Sequence, residues 1–355
     1  MADGVTGDGH EAVIAGDRPN SCALAIVGIA GGTHVGESLT RAARQLGLQT
    51  RFFDVRAAFA GPRLLRAAAW RLAGRRPLHL GQFSRDVVAD CCRLPSGAVM
   101  LLATGSAPLT AAAISALRRH GVLCALFSTD DPWNPAHYAR RHIEALKEFD
   151  VVFTPRRANM ADFAGLGCRD VRHLPFGYDA TLFKPVELSA KGGPQVLFVG
   201  GADDDRARFM RAFIARGPTP TLVGGYWEQY TDLRTLDRGL LAPDEVRLAT
   251  GSAAVNLCLV RRANRDGHVM RSYEIPAIGG FMLAEDTQDH REMFGEEGRC
   301  VLYFATPEMA AEKAQWALAR PAERARMAAA AHSHVVGGRH TYSDRLRHIL
   351  DTLRV

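Results

Sequence analysis

From Arg261 to Phe281 the chain reads RRANRDGHVMRSYEIPAIGGF. Arg261, Arg265 and Arg271 stand close to two acids, Asp266 and Glu274, which have seven residues between them. A carboxylate can accept two neighbouring ribose hydroxyls at once, and an arginine fork matches a diphosphate and the charge that grows on it as it leaves. Gly267 and the pair Gly279–Gly280 would let backbone amides approach such a ligand closely. The plain alternative is a helix start with an Arg271–Glu274 pair at i,i+3, worth only ~0.3–0.5 kcal/mol. That pair explains neither the Asp-Gly in front nor the Gly-Gly behind.

Three further stretches carry usable groups. GIAGGTHVGES follows an apolar run and lacks the GxGxxG spacing of a dinucleotide loop, so Gly32, Thr33 and His34 are candidates for a phosphate or polar ligand at a helix start, or merely a tight turn. His34 could also act in proton transfer. FSTDDPWNP places Asp130 and Asp131 where a base or hydroxyl acceptor is wanted, with Trp133 offering a face to a sugar ring; the alternative is a capped, proline-stopped turn. VGGADDDRAR offers Gly200, Gly201 and Arg206. Its three aspartates read as a helix N-terminus, where Asp caps and meets the positive dipole end, and not as a metal site. No metal site is expected anywhere in the chain. RLLRAAAWRLAGRRP (63–77) is a basic amphipathic helix, expected to show a solvated face and core leucines, with at most peripheral membrane contact.

These groups need elements to hold them. The 355 residues exceed one compact core and suit two domains, with 47% hydrophobic and 23% charged residues typical of a globular chain. The formal charge of +6 is spread over scattered arginines, which suits an anionic small ligand; no nucleic-acid motif is present. Seven scattered cysteines without CxxC pairs read as reduced core residues of a cytoplasmic protein. The uncharged run 97–117 is broken by TGSAPLT and reads as strand, turn and capped helix, not a membrane span.

SCALAIVG, RFFDV, GAVMLLAT, GVLCALFS and DVVFT are apolar strands alternating with helical patterns, the signature of a parallel sheet covered on both faces. The pattern restarts at QVLFVGG and continues through PTLVGG, AAVNLCLV, GGFMLAED and RCVLYFAT. The expected division is a disordered tail over 1–20, a Rossmann-like domain over 21–175 and a linker over 176–194. A second Rossmann-like domain follows over 195–338, then a C-terminal helix over 339–355 packing back on the first domain. Ligands in such sheets sit beyond the carboxyl ends of the strands, so the cleft between the domains is the expected site.

DGHVMRSYEIPAIGG resembles the E-G-F-G-x-x-x-x-E-A-x-A-x-G segment of GT-B-fold retaining glycosyltransferases, with Asp266 at the first acid and Glu274 at the second. FSTDDP, VVFTPRRANMADFAGLGCRDVRHLPFGYD, VLFVGGADDDR, RSYEIPAIGGFMLAED and HTYSDRL resemble the CgeB-like, spore-maturation type of these enzymes. The resemblance implies a GT-B architecture of two Rossmann-like domains facing a cleft and a metal-independent, hexosyltransferase-like activity with retention. Its co-substrate would be a nucleoside-diphosphate-sugar, with no other cofactor, and its acceptor is unidentified. It further implies Glu274 on the ribose and Asp266 and Gly267 at the sugar. The residues themselves add Arg271 with Arg261 or Arg265 as the expected diphosphate contacts, His268 at the sugar ring, and Asp130, Asp131 or His34 at the acceptor. A nucleotide-sugar epimerase and a non-catalytic sugar-nucleotide binder share this fold and stay open.

Overall fold

A computed structural model of the chain describes residues 22–94, 98–186 and 192–354. The tail expected over 1–20 and the middle of the expected linker lie outside the described residues. Every strand pairing is parallel, in two separate sheets.

The first half runs β1 (Cys22–Gly28), α1 (Val35–Gln45), β2 (Gln49–Asp54), α2 (Arg63–Leu72), α3 (Leu80–Cys91), β3 (Ala98–Thr104), α4 (Ala111–Arg119), β4 (Leu123–Phe127), α5 (Arg140–Leu146), β5 (Val151–Thr154), α6 (Met160–Leu166) and β6 (Val171–His173). The second runs β7 (Val196–Val199), α7 (Asp204–Ile214), β8 (Thr221–Val223), α8 (Pro243–Ser252), β9 (Val255–Cys258), α9 (Arg271–Ile278), β10 (Met282–Glu285), α10 (Gln288–Phe294), β11 (Leu302–Phe304), α11 (Pro307–Leu318), α12 (Pro321–Gly337) and α13 (Tyr342–Leu353). Sheet order is β2-β1-β3-β4-β5-β6 in the first and β11-β10-β9-β7-β8 in the second. The near-continuous apolar strands are buried because helices cover both faces, so Leu24, Ala25, Ile26 and Val27 lose all exposure.

Each sheet reverses its strand order once, between β1 and β3 and between β7 and β9. Chains leaving neighbouring strands to opposite faces open a crevice there, beyond the strands' carboxyl ends. The first crevice is kept tight by two glycines. A Cβ on Gly28 would lie 2.7 Å from Thr104 Oγ1 and 3.0 Å from the Gly36 Cα, so β1, β3 and α1 can meet only where both residues lack side chains. Thr104 Oγ1 uses this closeness to donate to the Val27 carbonyl at 3.2 Å.

The halves are bound together by side chains. Segment 174–183 does not run as a slack linker, because Phe176, Tyr178 and Phe183 are buried. The Phe176 amide donates to His268 Nε2 at 3.2 Å. Tyr178 bridges to Thr341, and Arg345 of α13 donates to the carbonyls of Pro175 and Phe176 at 2.9 and 2.8 Å. From the same helix Ser343 reaches Gln45 of α1 at 3.0 Å. Arg41 joins Asp179 at 2.7 Å.

The apolar run near 97–117 resolves into β3, a turn and α4 with Thr110 capping Ala113 N at 3.2 Å; its first residue lies outside the described residues. No helix among the described residues is long and apolar enough to cross a membrane. The core leucines expected in the basic helix are absent, since α2 buries none of its residues. Gly28→Ala is expected to cost about 1–3 kcal/mol through overpacking against Thr104 and Gly36. Thermal unfolding checks this, and an unchanged Tm contradicts the close-packed crossing.

Candidate active site

The two crevices open on one cavity of about 520 Å³ between the sheets. Its first-half wall comes from the loops after β1 (Ile29, His34), β3 (Gly105, Ser106) and β4 (Thr129, Asp130). The opposite wall comes from the loops after β7 (Gly200, Gly201) and β9 (Arg261, Asn264, Asp266) and from the start of α9 (Met270, Arg271).

The second-half wall is cationic. Arg206, in the first turn of α7, folds back to donate to the Gly201 carbonyl at 2.9 Å and the Leu259 carbonyl at 3.3 Å, over the Phe198 ring. Burial, with Arg261 beside it, pulls this guanidinium down to about 10, and it stays charged at neutral pH. Asp203 caps α7 by accepting from Arg206 N at 3.0 Å, the capping role expected of the aspartate run. Arg261 lies 3.5 Å from Asp203 and 3.5 Å from the Gly201 carbonyl. The turn that carries it is tied by Glu285, which accepts from Val260 N at 3.1 Å and Arg262 at 2.9 Å. Arg271 donates to the Val199 carbonyl at 3.4 Å and pairs with Glu274 behind it.

The start of α9 has its own support. His290 is fully buried and can only donate from Nδ1 to the Glu285 carbonyl, at 2.7 Å. Burial lowers its pKa to about 4 and keeps it neutral, so Nε2 accepts from Ser272 Oγ at 2.7 Å, and that oxygen accepts from Val269 N at 3.1 Å. A neutral imidazole is thus built into the turn that presents Arg271.

The Asp266 side chain is buried and bonded to Arg156 at 2.6 Å. Arg156, from the loop after β5, also donates to the Ser128 and Thr129 carbonyls at 3.1 and 2.8 Å. Burial raises the Asp266 carboxyl above its ordinary range while Arg156 opposes the rise. Arg156 was not singled out in the sequence, where TPRRAN looks like a solvated turn; its position just after a strand was the available signal.

Of the expected site residues, His34, Asp130, Gly200, Gly201, Arg206, Arg261, Asp266 and Arg271 share the cavity. The others are placed elsewhere. Arg265 is engaged with Asp131 at 2.5 Å and Asp162 at 2.6 Å, and it covers the ring of Trp133, which packs edge-on against Phe163. These residues latch the halves together and lie off the cavity wall. His268 bonds Asp289 at 2.8 Å and accepts from Phe176 N, outside the cavity. Gly267 lies off the cavity wall, where a Cβ would collide with the Asp289 carboxylate. Gly279 is the left-handed cap ending α9, with φ of 88°, and Gly280 packs where a Cβ would lie 2.8 Å from Asn256 Nδ2. Gly32 and Thr33 sit on the rim of the β1 loop, off the cavity wall. Glu274 is 1% exposed and does not line the cavity; its Oε1 has no protein partner among the described residues. No cluster of three or more His, Cys, Asp or Glu with metal-binding geometry occurs among the described residues.

Known structures share this architecture. A sucrose-phosphate synthase from Thermosynechococcus elongatus superimposes with a TM-score of 0.68 at 13% identity, over 93% of this chain and 98% of that one. Anabaena Alr3699/HepE in complex with UDP-glucose gives 0.63 at 14% identity, over 94% and 99%. The α,α-trehalose 6-phosphate synthase from Burkholderia multivorans gives 0.60 at 13% identity, over 94% and 96%. The fold is GT-B. Residues 206–351 also match the family model described as glycosyl transferase-like, which spans the GT-B half from α7 to α13. No curated protein sequence gives a significant match.

Two outcomes follow from the buried charges. Arg156→Met leaves the Asp266 carboxylate buried without its cation and should cost about 3–5 kcal/mol in denaturant unfolding; a loss under about 1 kcal/mol would show the pair to be dispensable. His290 is held by burial at about 4, below the ordinary 6.5. The unfolded chain therefore takes up a proton below 6.5 that the folded chain refuses, so stability is full above that pH and falls as pH drops toward about 4. His142, also near 4 by burial, acts in the same direction. A Tm that stays flat across that window argues against neutral buried imidazoles.

Proposed function

We propose that this GT-B chain is a glycosyltransferase that moves a sugar from a nucleoside-diphosphate donor to an acceptor bound on the first half. The observation that carries the reading is the convergence of Arg206, Arg261 and Arg271, from three different elements, on the wall bearing Gly200 and Gly201. A diphosphate supplies the charge this wall lacks, and the first turns of α7 and α9 add their positive dipole ends. Three cations on one wall stabilise the negative charge that develops as the sugar–phosphate bond breaks, so the transfer needs no metal. That Anabaena HepE was solved with UDP-glucose supports a nucleotide-sugar in this cleft.

Arg261 and Arg271 hold the diphosphate. Arg206 braces the Gly201 turn and adds charge from behind. Glu274 orients Arg271, and its free Oε1 is the acceptor offered to the ribose hydroxyls once Arg271 turns onto the diphosphate. Asp266, fixed by Arg156, faces the sugar. His34 and Asp130 stand on the opposite wall, where an acceptor hydroxyl would be oriented and its proton taken. Crowding by burial and Arg56 lowers His34 below its ordinary value, which keeps it neutral and able to accept that proton. The Asp266–Glu274 spacing, together with the likeness of the surrounding segment to that of GT-B-fold retaining glycosyltransferases, supports retention at the anomeric carbon. Six cysteines, Cys91, Cys92, Cys124, Cys168, Cys258 and Cys300, are unpaired, which supports a cytoplasmic site of action.

A thermal-shift panel of UDP-, GDP-, TDP- and ADP-sugars identifies the donor, and calorimetry then gives its Kd. Arg261→Ala and Glu274→Ala are each expected to weaken donor binding about tenfold or more, as loss of a charge-assisted contact implies. An unchanged Kd in Glu274→Ala removes it from the site. Donor conversion without an acceptor would identify an epimerase, and binding without turnover a sensor.

A further inference from the structure

Among the described residues, α2 is the one α-helix that buries none of its side chains. Leu64 and Leu72 are 84% and 87% exposed, and Leu65 is 56% exposed. Leu64, Ala68 and Leu72 fall at i, i+4 and i+8, one stripe along the helix, with Leu65 beside it. Three large apolar side chains on one exposed stripe of a ten-residue helix are not the scattered apolar surface of ordinary proteins. Arg63, Arg66 and Arg71 flank the stripe and Arg76 follows it, all exposed and without an ion-pair partner among the described residues. No Asp or Glu occurs between Val55 and Arg85.

The helix is nevertheless held in place. Trp70 packs on Phe59 at a 6.2 Å ring distance, Arg75 donates to the Pro135 and Tyr138 carbonyls at 2.6 and 2.9 Å, and Arg141 caps the Ala73 carbonyl at 2.7 Å. Its apolar stripe is therefore a fixed feature of the surface.

We propose that α2 is a docking helix for an anionic phospholipid bilayer. The leucine stripe enters the acyl boundary, and the flanking arginines meet lipid phosphates at headgroup depth. A second copy of the chain fits less well, because a two-fold contact would set the same unpaired arginines against each other. Nucleic acid would satisfy the arginines but leave the leucines in water.

The position of α2 gives the docking a consequence. Trp70, Arg75 and Arg76 wall a second cavity of about 310 Å³, floored by Leu80, Pro108 and Leu109. Phe59, Ser106 and Ala107 line both this cavity and the one between the sheets. Docking thus sets this second cavity, which shares a wall with the one between the sheets, at the membrane surface, which fits an acceptor carried on a lipid. This acceptor assignment rests on the proposed transferase reading; the docking does not.

The test is flotation of the full chain with vesicles of phosphatidylcholine alone and of phosphatidylcholine mixed with phosphatidylglycerol. Binding should favour the anionic vesicles by more than about tenfold and weaken with salt. Leu64→Ser/Leu65→Ser/Leu72→Ser and, separately, Arg63→Glu/Arg66→Glu/Arg71→Glu should each abolish it. These side chains are exposed, so Tm and donor-sugar binding should be retained in both variants. Equal binding to the two vesicle types, no binding by the unaltered chain, or retained binding in either variant overturns the proposal. So does light scattering that shows a dimer dissolved by the leucine changes without any vesicle binding. Vesicle binding in a chain that binds no nucleotide-sugar would sink the transferase reading and leave the docking standing.

Discussion

Arg156 and Asp266 come from different halves of the chain, and both are almost wholly out of water. Two ions in that position are costly to desolvate unless their remaining hydrogen-bonding capacity is met. Arg156 meets it with the Ser128 and Thr129 carbonyls, which close the β4 loop just before Asp130. One guanidinium therefore fixes three things at once: the depth of Asp266, the course of the β4 loop and the separation of the two sheets. The width of the cavity follows from that separation. Arg265 with Asp131 and Asn134 with Asn264, at 2.6 Å, add a second layer on the same edge. The halves cannot part along this edge without exposing carboxylates that are otherwise matched.

The strands and their grouping into two sheets were legible because fully buried parallel strands leave unbroken apolar runs, a signal local to each segment. Only the three-residue β6 escaped notice, being half-exposed and short. The glycine loops were legible as loops, and both line the cavity. The charged residues were read less well. Arg265 and Asp131 lie 134 residues apart, and a charge that will pair across a fold looks, in sequence, the same as one that will meet a ligand. Arg156 was missed for the converse reason, since nothing in TPRRAN marks which arginine will be buried. Glu274 shows the limit most clearly. Its i,i+3 spacing to Arg271 suggested either a surface pair or a ligand clamp, and the structure shows the pair itself drawn into the interior.

The glycines divide along the same line. Gly28 and Gly36 are dictated by backbone approach, and Gly267 by Asp289, so each is explained by packing inside one half. Gly200 is also dictated by packing, since a Cβ there would lie 2.8 Å from the Phe198 ring, and in addition its carbonyl and that of Gly201 are taken by Trp227 and Arg206 in the loop that lines the cavity. A glycine motif alone does not distinguish these cases; what decides is which side chain claims the neighbouring carbonyl.

The net charge of +6 also resolves into places. Many arginines are spent on local partners, as Arg211 is on Asp232 and Arg291 on Asp286. Two groups stand apart: the wall formed by Arg206, Arg261 and Arg271, which lines the cavity with Asp203 and Glu274 beside it, and the flanks of α2, whose arginines have no ion-pair partner among the described residues. The first is enclosed, presented by three elements and backed by carbonyls, which suits a small, highly charged ligand held in one geometry. The second is open, carried by a single helix and interleaved with leucines, which suits an extended anionic surface with an apolar interior. The same residue type thus serves two kinds of anion, and enclosure against exposure separates them. Phe59, Ser106 and Ala107 line both cavities, so the space beside α2 and the space between the sheets share a wall.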